Sequence, residues 1–140
     1  MARVLGIDLG SRRIGVAVSD GLGLTAQPRA TLTRKGGVRD IDAIAAAVKD
    51  ADADRIVLGL PLDPEGQEGP AAQRARAFGD KLRAALHLPV ELIDESFSTV
   101  EAEAVLLAAD MSRARRKQVV DKLAAAVILQ RWLDAQKEKP

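Results

Sequence analysis

Two apolar, β-branched-rich runs, RVLGIDL at residues 3–9 and RIGVAVS at 13–19, flank a short Gly-Ser-Arg turn. This pattern predicts an antiparallel hairpin at the start of the chain. It also raises a problem, because Asp8 sits inside the first run. Alternate residues of a strand share a face, so Asp8 lies with Val4 and Gly6, while Leu5, Ile7 and Leu9 point the other way. A lone buried carboxylate is costly unless it is paired or holds a metal ion. Gly6 and Gly10 leave room on either side for a backbone, a phosphate or an ion to approach. The plainer alternative is an aspartate bonded to turn amides or to Arg12 or Arg13.

The rest of the chain alternates. A third strand is expected over 28–33. Apolar positions at Val38, Ile41, Ile44, Ala45 and Val48 recur with helical spacing and predict a helix over 37–50. RIVLGL at 55–60 is continuously apolar and stops at Pro61, as in a strand buried on both faces by parallel pairing. The segment 61–70 (PLDPEGQEGP) is rich in Gly, Pro and acids and reads as a loop. A helix is expected over 71–86 and a short strand over 89–94. Ser98 opens another helix, with Glu101 at the spacing of a capping box. A last helix is expected over 113–134, with Ser112 as its N-cap. The order is three strands, then helix, strand, helix, strand, helix, helix. It implies an α/β fold: a mixed five-stranded sheet flanked by helices, in a single domain over 1–140.

Composition excludes several functions. There are no cysteines, which removes disulfides, thiolate zinc sites and a cysteine nucleophile, and fits a reducing, cytoplasmic setting. The single histidine, His87, reads as a surface residue at a helix end, so any metal must be held by oxygen. Only two Phe and one Trp are present, with no Tyr, too few for a base-stacking platform. No apolar run approaches the roughly 18–20 residues of a membrane span, and the N-terminus lacks the apolar core of a signal peptide, so no membrane is expected as a partner. Net charge is +1, so attraction to nucleic acid must come from local patches.

Acidic residues then single themselves out. Asp94 and Glu95 follow a short strand, where open α/β sheets place their ligands. Neighbours on a strand face opposite ways, so one of the two is expected to face the cleft. Asp121 aligns with Ala124, Ala125, Ile128 and Trp132 on the apolar stripe of the last helix. It needs a partner there, and Lys117 or Lys122 is the simple one. The same helix begins with Arg113, Arg115, Arg116 and Lys117. Cations at a helix N-terminus oppose its dipole, and a phosphate would relieve them. Several carboxylates converging at one sheet edge, with arginines close by, suit Mg²⁺ or Mn²⁺ and phosphodiester cleavage.

GIDLGSRRIGVAVSD, GLPLDPEGQEGP, DESFST and VDKLAAAVILQRWLD, in this order and spacing, resemble the YqgF/RuvX-type family over nearly the whole chain. The resemblance implies an RNase H-like fold related to RuvC-type resolvases. It implies a nuclease maturing the 5′ end of pre-16S rRNA, or alternatively a Holliday-junction resolvase acting on branched DNA. It further implies an acidic, metal-binding triad of Asp8, Glu95 and Asp121, with Asp94 in place of Glu95 left open. Arg12, Arg13, Arg113, Arg115, Arg116 and Lys117 are the expected nucleic-acid contacts. The chain departs from the family at Ser96, where an arginine is usual. GIDLGS also resembles the phosphate-binding turn of actin- and Hsp70-like ATPases, but 140 residues supply one copy of a domain those proteins use twice. A non-catalytic nucleic-acid-binding module is the other alternative. A resolvase would be a two-fold homodimer, since it cuts two strands symmetrically.

Overall fold

The computed structural model describes residues 2–96, 98–109 and 111–138. The elements follow in the order β1 (Arg3–Leu9), β2 (Arg13–Ser19), β3 (Ala26–Thr33), α1 (Gly37–Ala51), β4 (Ala53–Leu60), α2 (Pro70–Leu86), β5 (Val90–Asp94), α3 (Ser98–Ala108) and α4 (Arg113–Lys137). The strands lie side by side as β3-β2-β1-β4-β5. The first three pair antiparallel, whereas β4 pairs parallel with both β1 and β5. The continuous apolar run of β4 is therefore an interior parallel strand, as its composition requires.

The start of β3 and the end of α4 differ from expectation for physical reasons, and the other boundaries move by at most two residues. β3 starts at Ala26 and runs through Pro28. It is an edge strand, where a missing N–H is tolerated, and the register shifts opposite Val16 and Ala17 to absorb Arg29. α4 continues three residues past Asp134 to Lys137. The proposed capping partner Glu101 is drawn away: its carboxylate accepts from Arg131 Nη2 at 2.9 Å. Ser112 does cap α4, its hydroxyl accepting the Arg115 N–H at 3.3 Å. His87 closes α2 in the left-handed region, at φ 55°, and is exposed.

The two faces of the sheet are built differently. On one, Leu5, Ile7, Ile14, Val16, Ile56 and Leu58 meet Ile41 and Ile44 of α1 and Phe78 and Leu82 of α2. Each such fully buried side chain contributes about 1.5–3 kcal/mol. On the other, Ala17 and Val57 meet Ala125, Ile128, Leu129 and Leu133 of α4. Here glycines at 6 and 15 and Ala17 let α4 come close to the strands, and this face carries the carboxylates.

Candidate active site

Asp8 lies near the end of β1, on the face covered by α4. Its register partner on β2 is Gly15. A Cβ at Gly15 would stand 2.0 Å from the Asp121 carbonyl oxygen, so α4 touches β2 backbone to backbone. Gly6 behaves similarly, with a Cβ there 2.7 Å from that of Leu129. These contacts seat the first turns of α4 on the strand beside Asp8 and bring Asp121 into its field, where the Asp121 charge helps to raise the Asp8 pKa.

The acidic pair after β5 divides as strand geometry demands. Glu95 turns inward, over Gly59, where a Cβ would stand 2.5 Å from Glu95 Oε2. Its N–H donates to the Leu60 carbonyl at 3.2 Å, extending the β4–β5 alignment by one residue. Asp94 turns outward and is exposed. Its Oδ1 accepts from the Ser96 hydroxyl at 2.6 Å and the Ser96 N–H at 2.8 Å, and these donors hold its pKa below the ordinary value.

Glu95 and Asp8 face each other, and the pairing is electrostatically expensive. Burial, the bond to Asp8 and the charges of Asp8 and Asp94 push Glu95 up to about 8, against the pull of Arg131. Asp8 is raised too, chiefly by burial. Two carboxyl groups bond only while they share a proton, so Asp8 and Glu95 hold one between them. Glu95 Oε2 is buried and takes no hydrogen bond from the other described residues.

Asp121 is handled differently from the simple expectation. Neither Lys117 nor Lys122 takes it. Arg13 does, with Nε 2.5 Å from Oδ2. Asp8 has no arginine partner among the described residues. Arg12 is exposed on the β1–β2 turn. Arg113, Arg116 and Lys117 line a separate groove of about 440 Å³ with Glu103, Leu107 and Val120, between α3 and α4, and Arg115 is exposed beside them. The basic run therefore flanks the carboxylates rather than surrounding them.

The donor set suits a hard divalent cation: it is all oxygen, and one buried oxygen of Glu95 is unbonded. Among the described residues no three acidic or histidine side chains stand together as a ready cage. Asp8 and Glu95 converge, and Asp121 is drawn aside by Arg13. Asp8, Glu95, Pro61, Leu62, Ser98 and Thr99 line the cavity, of about 300 Å³. The loop after β4 is shaped by Asp63, whose Oδ1 accepts from Glu65 N–H at 3.0 Å and Gln67 N–H at 2.8 Å.

One feature of this edge was not legible in the sequence. Arg34 donates to the Gly10 carbonyl at 3.0 Å and to the buried Asp40 at 3.1 Å. Asp40 stands in the first turn of α1 and is buried, where an acid also complements the helix dipole.

With this geometry in view, the comparisons are specific. A sequence model of the RuvX family, described as Holliday junction resolvase, matches residues 2–135. The chain belongs to the RuvX family. Among RuvX relatives, a Myxococcus xanthus protein named "Putative pre-16S rRNA nuclease" is 52% identical over 133 residues, covering 95% of this chain and 88% of its own. A Pelotomaculum thermopropionicum protein of the same name is 50% identical over 135 residues, covering 96% and 88%. Among solved structures, T. thermophilus RuvC in complex with a Holliday junction substrate superposes with a TM-score of 0.62 at 17% identity, over 98% of this chain and 96% of that one. A fowlpox virus resolvase bound to Holliday junction DNA reaches 0.60 at 9% identity, over 96% and 98%. These likenesses show the fold, the RNase H-like sheet of RuvC-type resolvases. No helix among the described residues is long and apolar enough to cross a membrane.

Proposed function

We propose that this RuvX-family chain is a divalent-metal-dependent nuclease that processes the 5′ end of pre-16S rRNA in the cytoplasm. The observation that carries the reading is the inward-facing Asp8–Glu95 pair, with an unbonded Glu95 oxygen, beside Asp121. Uncompensated carboxylates at this depth destabilise a fold, and a function for them is the simplest reason for their presence. The RNA substrate is supported by the names of relatives at about half identity.

In this reading Asp8 and Glu95 would hold Mg²⁺ or Mn²⁺, with Asp121, now bonded to Arg13, as the third carboxylate that could join them. When bound, the ion supplies a Lewis acid for the phosphoryl oxygen and lowers the pKa of its water. The chain's own residues do the rest. Glu95 would give up the proton it shares with Asp8 to solvent water. Pro61 and Leu62 line the cavity beside the pair, and Arg13, freed of Asp121, would offer a guanidinium to the substrate's phosphate.

A Holliday-junction resolvase is the second reading, favoured by the description of the family model. Cleavage of a substrate panel separates the two: RNA spanning a pre-16S 5′ end, a four-way DNA junction, duplex DNA and single strands, each with Mg²⁺ or Mn²⁺. Cutting of the RNA that Asp8→Asn abolishes supports the proposal. Preferred cutting of the junction, by a chain that runs as a dimer in solution, moves the assignment to the resolvase. No metal-dependent cutting of any substrate overturns both.

A further inference from the structure

A second groove, of about 400 Å³, meets the carboxylate cavity at Glu95 and Pro61, which line both. Its far wall is basic, carrying Arg34, Arg74 and Lys81, and its floor includes Gly10 and Ser11 of the β1–β2 turn.

Arg34 is not an ordinary surface cation. Asp40, only 2% exposed, accepts from Arg34 Nε at 3.1 Å, Lys35 N–H at 2.9 Å and Gly36 N–H at 3.1 Å. Burial alone would raise the Asp40 pKa, but these donors hold it below the ordinary value. Asp40 is thus a charged anchor for the guanidinium. A second N–H of Arg34 is tied to the Gly10 carbonyl, and the group stands 6.0 Å from the Phe78 ring. A guanidinium has five N–H donors. Two are used in holding it still, and among the described residues the rest take no partner, on a side chain 28% exposed at the groove.

Helix α2 sorts its cations in the same sense. Arg76 is bound by Glu68 through two bonds, at 2.6 and 2.7 Å. Arg83 is bound by Asp80 and by the Val90 carbonyl. Arg74 and Lys81 are spaced seven residues apart, two helical turns and one face, and that face lines the groove. No carboxylate pairs with either among the described residues. A merely solvated basic face gives no reason for this division, nor for a buried acid fixing Arg34.

We infer that Arg34, Arg74 and Lys81 form a metal-independent phosphate site that grips the backbone of the substrate strand next to the Asp8–Glu95 pair. The chemistry is oxyanion recognition by a preorganised fork and two point charges. That the phosphate belongs to a strand rests on the nuclease reading. Anion binding by the groove does not.

The test is binding in EDTA, read by fluorescence anisotropy of a fluorescein-labelled single-stranded RNA across a salt series. Arg74→Gln and Lys81→Gln change exposed side chains on α2, so both variants are expected to fold, with circular dichroism as the check. Each is expected to weaken binding several-fold and to lower the salt slope by about 0.7. Arg34→Gln is expected to cost about tenfold or more, and Arg34→Lys to fall with it, since lysine keeps the charge but not the fork. Lys49→Gln, on the exposed end of α1, should change little, and Asp8→Asn should still bind. Unchanged affinity and slope in Arg74→Gln and Lys81→Gln overturn the site. Wild-type binding by Arg34→Lys overturns the positioned role of Arg34. Inorganic phosphate protecting the protein against heat through these residues, with no RNA bound, overturns the strand as ligand. Groove-dependent RNA binding without metal-dependent cleavage leaves this site standing and removes the nuclease reading. Cleavage indifferent to Arg74 and Lys81 does the reverse.

Discussion

The two faces of the sheet solve opposite problems. Against α1 and α2, large aliphatic side chains such as Ile7, Ile44, Leu58 and Leu82 are wholly buried and keep the helices at ordinary packing distance. Against α4, glycines at 6 and 15 let the helix rest on the strands themselves. The first arrangement gains stability from buried area. The second gives up buried area for position, since only backbone-to-backbone contact sets Asp121 beside Asp8. The difference teaches that stability and the carboxylate site are assigned to separate layers, so substitutions on each should fail in different ways.

The sharpest break is at the carboxylates. Asp8→Asn should fold normally and lose at least about a thousandfold in metal-dependent cleavage, roughly 4 kcal/mol of barrier. Single-turnover rates with Mg²⁺ and Mn²⁺, with circular dichroism as the fold control, check this. Full activity in the variant would show that Asp8 has only a structural part.

Next come paired substitutions, one per face. Gly15→Val sets side-chain atoms against the Asp121 backbone oxygen and should destabilise by roughly 3 kcal/mol or more while weakening Mn²⁺ binding. Leu58→Ala leaves a cavity and should cost about 2–5 kcal/mol with Mn²⁺ affinity preserved. Urea melts and calorimetric titration of Mn²⁺ read both quantities. A loss of metal affinity in Leu58→Ala equal to that in Gly15→Val would erase the contrast between faces.

A smaller effect tests the shared proton. Glu95 titrates at about 8 in the fold, against an ordinary value of 4.5. Below pH 4.5 both folded and unfolded chains hold this proton, and the group imposes no penalty. As the pH rises toward 8 the unfolded chain ionises first, so stability falls. Glu95→Gln escapes that loss. In EDTA its unfolding free energy should match the wild type near pH 4 and exceed it increasingly up to pH 8, by on the order of 2 kcal/mol in urea melts. A pH-independent difference would remove the proton-sharing pair. Smallest of all, Ser112→Ala should cost about 1 kcal/mol by uncapping α4, measurable in the same melts, with little change in cleavage.

Local patterns were readable because they depend on neighbours in the chain. The alternation of β1 and β2, the apolar run of β4, the stripe on α4 and the Ser112 cap all appear at spacings of two to four residues. Even the anomaly of Asp8 is local, a charge where the period demands a core residue. What could not be read was partner choice. Asp121 takes Arg13, 108 residues away, rather than the adjacent lysines, because α4 crosses β2 at Gly15. The basic run at 113–117 reads as a companion of the carboxylates, yet the packing of α3 against α4 gives it a groove of its own.

The sequence by itself determined the order of strands and helices, the solitary acid on β1 and the oxygen-only chemistry open to a chain without cysteine. Tertiary structure alone decided that Glu95 turns inward while Ser96 holds Asp94 outward, and that Glu95 rests over Gly59. It alone placed Arg34 and α2's free cations at the same edge. Period and propensity act over a few residues, whereas these contacts exist only once the order β3-β2-β1-β4-β5 has brought distant segments to a common edge and burial has made each unpaired charge costly.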